Sequence, residues 1–412
     1  MSGWLALIAA MIVVGVVAAA PGLFLVAAVT LGYASLTRLW TRYGMGQVVY
    51  SRTLGATRAV AGDTVPLDVT IWNRKPLPLP WIAADDLITD GISVRERPVL
   101  ERDDERFGRR VLHNAWALAW FERVVRHFHL EARRRGVYDL GPARLRVRDI
   151  LGRDAAAGAE PSETSLVVGP RGVPLRRASR NAAPIGERRA RRSLFADPAL
   201  FGGVRPFQPG DSLRRVHWRA IARLGSTVSR RYEPARGREV IVALDVQTIP
   251  GPHWEMTYDD EAFEGLCVAA ASLARQLLAD GASCGIAAAS FTGTIQQVAY
   301  LGPQAAHGQL ARTADFLARI GPISSRPYPQ LLTWLTRRFP PGGTVLTLSA
   351  RDPRAYLPAM QRLARSGYRV EHVALGADGA THAAMVRRHG IPAASATLDP
   401  GWEEADALVL AG

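Results

Sequence analysis

Residues 239–246 read EVIVALDV, and this short run decides the fold. Its apolar residues run on without alternation, the pattern of a strand buried on both faces of a parallel sheet. The segment after it, YDDEAFEGLCVAAASLARQLLADG (258–281), carries an apolar stripe at helical spacing through Phe263, Leu266, Ala270, Leu273, Ala274 and Leu277. Asp259, Asp260 and Glu261 open that helix where its dipole favours acids, and Gly281 stops it. SCGIAAAS (283–290), GTVLTLSA (343–350) and YRVEHVAL (368–375) read as further strands. Helical segments at 304–320, 329–339, 354–366 and 380–390 separate them, and ADALVL (405–410) is a last short element. Such alternation predicts an α/β domain over residues 238–412, a doubly wound parallel sheet whose ligand site lies beyond the carboxyl ends of its strands.

Upstream, the apolar period changes to two. In VPLDVTIW (65–72), Leu67, Val69 and Ile71 face one way, Asp68 and Thr70 the other. Gly62-Asp63, Gly136 and Gly141-Pro142 are turn signals. Five to seven short strands over residues 47–153 predict a small β-sandwich. His127 and His129 share a strand face there, but neither they nor His113 have a third ligand at matching spacing, so they read as satisfied or exposed histidines. GRDAAAGAEPSETS (152–165) reads as a loop, LVVGPRGVPL (166–175) as one more strand, and residues 154–200 together as an arginine-rich linker.

Residues 4–37 contain no charge, a longer run than the roughly 20 residues that one membrane span needs. Pro21-Gly22 divides it, so residues 1–42 predict a transmembrane hairpin, with one long tilted helix as the alternative. A cleaved signal peptide fits less well: no basic residue precedes the run, and Pro21 would follow the cut. Arg38, Arg42, Arg52 and Arg58 come next, and basic flanks stay cytoplasmic, so the soluble part is expected in the cytoplasm.

The chain has 412 residues and a net charge of +14, and Lys75 is its only lysine. Residues 166–240 concentrate the charge, with 17 arginines against five acids. That block suits anionic lipid, nucleic acid or an acidic partner, or simply a solvated surface. Trp218 is the only aromatic between Phe207 and Tyr232, so a base-stacking platform is not evident. Cys267 and Cys284 lie in apolar runs and read as buried hydrophobes. The sequence has no GxGxxG, P-loop or GxSxG, and no nucleophile and base stand at recognisable spacing, so an enzyme is not expected.

Between the β-rich and α/β segments lies FGGVRPFQPGDSLRRVHWRAIARLG (201–225). Gln208-Pro209-Gly210 is a turn, Asp211 an N-cap, and Gly225 the end of the helix between them. Arg214 and Trp218, four apart, share a face and suit a cation–π pair. Residues 201–237 read as an elbow between domains, with a partner-binding surface as the alternative.

The order of two apolar segments, RRGVYDLGP…RDILGR, LVVGPR and RPFQPGDSLRRVHWRAIARLGSTVSRRYE leading into VIVALDV resembles the DUF58 family over most of the chain. Residues 205–232 are the most specific part, with signature positions Gly210, Asp211, Arg214, Trp218, Arg223, Gly225 and Tyr232. The resemblance implies a carboxy-terminal domain similar to a von Willebrand factor A domain, and company with MoxR-type AAA+ ATPases and transglutaminase-like membrane proteins. It implies no reaction. Von Willebrand A domains often hold Mg²⁺ through Asp-x-Ser-x-Ser after the first strand. Here those positions read Asp245-Val246-Gln247-Thr248-Ile249, which keeps the Asp and loses both serines. Ser349 and Asp352 stand after a later strand and could line the same rim. Asp245 is therefore a degenerate metal position, and no cofactor is expected. The expected protein is a membrane-anchored, non-enzymatic adaptor whose cytoplasmic domain binds a partner such as a MoxR-type ATPase. The alternative is a membrane-tethered nucleic-acid or anionic-lipid binder using residues 166–240.

Overall fold

A computed structural model describes residues 10–411 apart from 12, 15–16, 18–20, 90, 97–99, 105–108, 150–151, 178–200, 207–220, 222, 224, 226–227, 233–238, 253–256, 292–297, 307 and 400. The chain divides into two compact units, Met1–Gly169 and Pro170–Gly412.

The first unit begins with helix α1 (Pro21–Tyr43). Along it Phe24, Leu25, Val26, Val29 and Leu31 are exposed, while Trp40 near its end is buried in the core of the strands that follow. The stretch Phe24–Tyr43 is long and apolar enough to cross a membrane. The first arm of the expected hairpin lies mostly outside the described residues; Ala10, Met11, Val13, Val14 and Val17 are helical.

The strands that follow are β1 (Val48–Leu54), β2 (Arg58–Val60), β3 (Thr64–Asn73), β4 (Leu79–Ile88), β5 (Ile92–Val94), β6 (Leu100–Asp104), β7 (Arg109–Leu118), β8 (Arg123–Ala132), β9 (Gly136–Arg148), β10 (Asp154–Glu160) and β11 (Thr164–Gly169). They form two sheets, β1-β3-β8-β5 and β2-β11-β9-β4-β7-β6, with β10 added on β9. The sheets share one core. Leu67, Val69 and Ile71 on β3 are fully buried, as the alternation predicts, and meet Ile82 and Ile88 of β4 and Leu166 and Val168 of β11 in the same cluster. Each such side chain contributes roughly 1.5–3 kcal/mol on burial.

Residues 154–165, expected as loop, supply strand β10 and the start of β11, and the strand expected over 166–175 is β11 as far as Gly169. Composition hid β10: DAAAGAE has little strand propensity, and pairing with β9 supplies what propensity lacks. Its Gly158 lets Met45 approach; a Cβ there would stand 2.7 Å from the Met45 methyl carbon.

The second unit contains β12 (Leu175–Arg177), β13 (Phe201–Pro206), β14 (Val228–Tyr232), β15 (Glu239–Leu244), α2 (Asp260–Ala279), β16 (Ser283–Ala288), β17 (Ala299–Gln304), α3 (Gln309–Arg319), α4 (Tyr328–Leu335), β18 (Thr344–Ser349), α5 (Leu357–Arg365), β19 (Arg369–Leu375), α6 (Gly379–Arg388), β20 (Ala393–Asp399) and β21 (Ala407–Ala411). Its main sheet runs β12-β21-β20-β19-β18-β15-β16-β17. The five central strands, β20 to β16, are parallel, while β21 is antiparallel to β20 and β17 to β16. The sheet is thus mixed where an all-parallel one was expected. The reason is the connections: those into β17 and β21 contain no helix among the described residues and are too short for a parallel crossover. β12, from the segment expected as linker, pairs in parallel with β21.

α2 and α3 pack on one face of this sheet, and α4, α5 and α6 on the other, each side with its own core. Asp259 caps α2 by accepting from the Ala262 N–H at 3.1 Å. α2 also has the length and hydropathy of a membrane span, but 72% of it is buried inside the unit, which makes it a core helix.

Candidate functional site

Strand order places the site. From β15 the chain goes to β16 on one side and later to β18 on the other, so the order reverses between β15 and β18. In open α/β sheets a crevice opens at that switch point, beyond the carboxyl ends of the strands. Asp245 follows β15 and Ser349 ends β18, so both stand at this crevice.

Asp245 is buried and fully engaged. Its Oδ2 accepts from Ser349 Oγ at 2.9 Å, Arg351 Nε at 3.0 Å and Arg351 Nη2 at 2.8 Å. Its Oδ1 accepts from the Gln247 N–H at 3.3 Å. Burial pushes the Asp245 carboxyl up from its ordinary value, and the Arg351 guanidinium, itself buried, pulls the other way. Beneath the pair, Tyr356 OH donates to the Arg351 carbonyl at 3.2 Å and lies 3.4 Å from His372 Nε2, while His372 Nδ1 lies 3.0 Å from Thr347 Oγ1. Burial pushes His372 down to about 3, so it is neutral at physiological pH.

The remaining positions of the degenerate metal motif are occupied elsewhere. Gln247 Nε2 closes its own loop by donating to the carbonyls of Ile249 (3.2 Å) and Gly251 (2.8 Å). Thr248 Oγ1 accepts from the Asp259 N–H at 2.8 Å. Asp352 turns from the rim and caps a short 3₁₀ turn, accepting from the Arg354 N–H at 2.9 Å. A hard divalent ion needs several oxygen ligands. This site has one carboxylate, already matched to a cation, so its residues do not fit Mg²⁺. Among the described residues no cluster of three or more His, Cys, Asp or Glu side chains could hold a metal.

Two exposed aromatic side chains lie in the connections that leave the carboxyl ends of β15 and β16. Phe291, 57% exposed, lies three residues past the end of β16, and Tyr258, 41% exposed, precedes the Asp259 that Thr248 holds. Sequence reading missed both, and missed Arg351 as well. The signal available for Arg351 was its place two residues after the β18 end at the switch point.

Of the signature positions, Gly210, Asp211, Arg214 and Trp218 lie outside the described residues. Arg223 is exposed on a helical turn, and Gly225 ends that turn with φ +65° and its N–H donating to the Ile221 carbonyl at 2.9 Å. Tyr232 pairs in register with Phe201, so β13 and β14 form a two-stranded ribbon enclosing the signature. In the sandwich, each expected strand histidine has a carboxylate partner: His113 with Asp85, His127 with Asp68 and His129 with Glu96.

Residues 203–331 match the family described as "Protein of unknown function DUF58". The DUF58 match spans the signature, Asp245, Tyr258 and Phe291, and stops before Arg351. The chain is also similar to the uncharacterized protein YeaD of Bacillus subtilis, 25% identical over 264 residues. That alignment covers 62% of this chain and 58% of YeaD, so it spans little more than half of the relative's length. Similar solved structures include the CARDB domain of PF1109 from Pyrococcus furiosus (11% identity, 29% of this chain and 91% of that one, TM-score 0.21). Another is a cohesin module from Clostridium perfringens (13% identity, 30% and 99%, TM-score 0.20). Scores this low carry no argument about the DUF58 segment or the rest of the chain.

Proposed function

We propose that this chain is a membrane-tethered, non-enzymatic adaptor that binds a protein partner at the strand-end rim of its second unit. The reading rests on two exposed aromatic side chains, Tyr258 and Phe291, in the connections after β15 and β16, and on an Asp245 at the same strand ends whose charge is matched by Arg351. Exposed aromatics around a buried polar centre are what protein interfaces use as anchors. A rim whose carboxylate is matched by a guanidinium suits a partner recognised through apolar contact and shape. The order of the central strands and the Asp after the first of them support a von Willebrand A-like reading of this unit. The exposed apolar residues of α1 support tethering, and the arginines that follow support a cytoplasmic placement. The DUF58 resemblance suggests a MoxR-type AAA+ ATPase as the partner.

The test is affinity purification of the full-length chain from crosslinked native membranes, wild type against Phe291→Ala with Tyr258→Ala. Both side chains are exposed, so the variant is expected to fold. Loss of a co-purifying AAA+ ATPase in the variant is the expected result. An unchanged partner set would remove the rim from the account.

A further inference from the structure

We propose that Trp120 and Phe121, at the tip of the β7–β8 hairpin, form a second membrane anchor seated in the headgroup layer where α1 leaves the bilayer. The proposal rests on the reading of α1 as the membrane tether.

Both side chains point into solvent, 67% and 61% exposed, the most exposed large apolar groups among the described residues of the sandwich. Phe121 has φ +54°, a left-handed conformation that costs a non-glycine residue about 1–2 kcal/mol. The turn is nevertheless firmly held. Ala119 N–H donates to Glu122 Oε2 at 2.6 Å, Asn73 N–H to the Glu122 carbonyl at 2.8 Å, and Asn73 Nδ2 to the Ala119 carbonyl at 2.8 Å. Phe121 N–H donates to the Lys75 carbonyl at 3.2 Å. The hairpin therefore presents two aromatic rings outward in a fixed turn.

The same short loop grips the end of α1. Lys75 Nζ donates to the carbonyls of Gly44 and Gly46, each at 2.7 Å, just past the last helical turn. Arg74 N–H donates to the Gln47 carbonyl at 3.0 Å, and Trp40 Nε1 to the Pro78 carbonyl at 2.9 Å. Helix exit and aromatic tip are thus tied to one another through residues 73–78, at one end of the sandwich. Between the helix exit and the 75–77 loop opens a pocket of about 540 Å³ lined by Leu39, Tyr43, Gly46, Gln47, Lys75, Pro76 and Leu77.

Charge selects the occupant. Residues 38–50, 72–80 and 119–123 contain Arg38, Arg42, Arg74, Lys75 and Arg123 against one carboxylate, Glu122, which is already bonded within the turn. Burial lowers Lys75 to about 8, so it is still mostly protonated at neutral pH. Aromatic rings beside a helix exit, ringed by cations, match the headgroup layer of an anionic leaflet. A protein partner of the same charge preference is the competing occupant, and the test separates the two.

The full chain is reconstituted in nanodiscs of phosphatidylethanolamine and phosphatidylglycerol, with single nitroxide labels at Val29→Cys, Ala119→Cys or Thr64→Cys. The unlabelled-site parent corrects for the buried Cys267 and Cys284. Val29 reports on α1. Ala119 reports on the tip with both aromatics intact. Thr64 lies at the other end of β3, about 30 Å away at roughly 3.3 Å per residue. The label at 119 is expected to favour oxygen over a water-soluble nickel chelate, between the values at 29 and 64. Adding Trp120→Ser and Phe121→Ser is expected to raise chelate access several-fold. A label at 119 as open to the chelate as that at 64, with 29 still in lipid, overturns the anchor and leaves the tether standing. Shielding at 119 from oxygen and chelate alike assigns the tip to a protein contact and also overturns it. Chelate access at 29 overturns the tether and the anchor together.

Discussion

Each unit has a buried aspartate paired with a buried arginine, and these two pairs do different work. In the sandwich, Asp86 of β4 meets Arg52 of β1 at 2.6 Å, both side chains at most 2% exposed. Tyr50 OH donates to the same carboxylate, and Arg52 donates to the Ser162 carbonyl. β1 and β4 belong to different sheets, so this pair rivets one sheet to the other through the core. Gly141 makes room for it, since a Cβ there would stand 2.5 Å from Arg52 Nη1. In the α/β unit, Asp245 and Arg351 join the ends of two neighbouring strands at the switch point, and Arg351 keeps 9% of its side chain open. The chemistry is the same, but the first pair ties two sheets through a core and the second joins two strand ends at the topological switch point. Position in the topology, more than burial, marks which one a ligand can reach.

The sharpest way to break this comparison is Arg52→Ala. It leaves the Asp86 carboxylate uncompensated in a dry core, and the expected cost is about 3–5 kcal/mol, read by denaturant unfolding of the full chain. Arg351→Ala is expected to cost less, near the lower end of that range, because water can enter at the rim. In the wild type, millimolar Mg²⁺ is expected to leave the melting temperature unchanged. A Mg²⁺-dependent rise that disappears in Asp245→Asn would show that the guanidinium yields its place to the ion. The third effect is smaller per unit of pH. His372 is held neutral in the fold with its pKa lowered to about 3, whereas an unfolded chain protonates it near its ordinary 6.5. The unfolded state then binds the extra proton, so stability is expected to fall as pH drops from about 6.5 towards 3, by at most about 1.4 kcal/mol per pH unit. His372→Gln should flatten that slope while leaving the part due to carboxylates, and an identical slope in the variant would exclude His372 as its source.

Much of this architecture is legible in the sequence where periodicity and burial coincide. The alternation of Leu67, Val69 and Ile71 gives β3, the unbroken EVIVAL gives β15, and the stripe from Phe263 to Leu277 gives α2. Small residues hide the rest. β10 and β20 are rich in alanine, and neither reads as a strand until a neighbouring strand pairs with it. The β7–β8 turn is equally silent, because Ala119-Trp120-Phe121-Glu122 contains no glycine, proline, asparagine or aspartate. At the candidate site, Asp245 and Ser349 can be placed from strand ends alone. The Asp245–Arg351 pair joins residues 106 apart, and only the strand order brings them together.

The central claim is that the rim beside Asp245 binds a protein partner. A photo-crosslinking amino acid placed at Phe291 in the full-length chain, irradiated in native membranes, tests it most directly. The account predicts a specific adduct with an AAA+ ATPase that is absent when the same group stands at Thr64. Adducts at Phe291 only with lipid, or the same adducts from both positions, would contradict it.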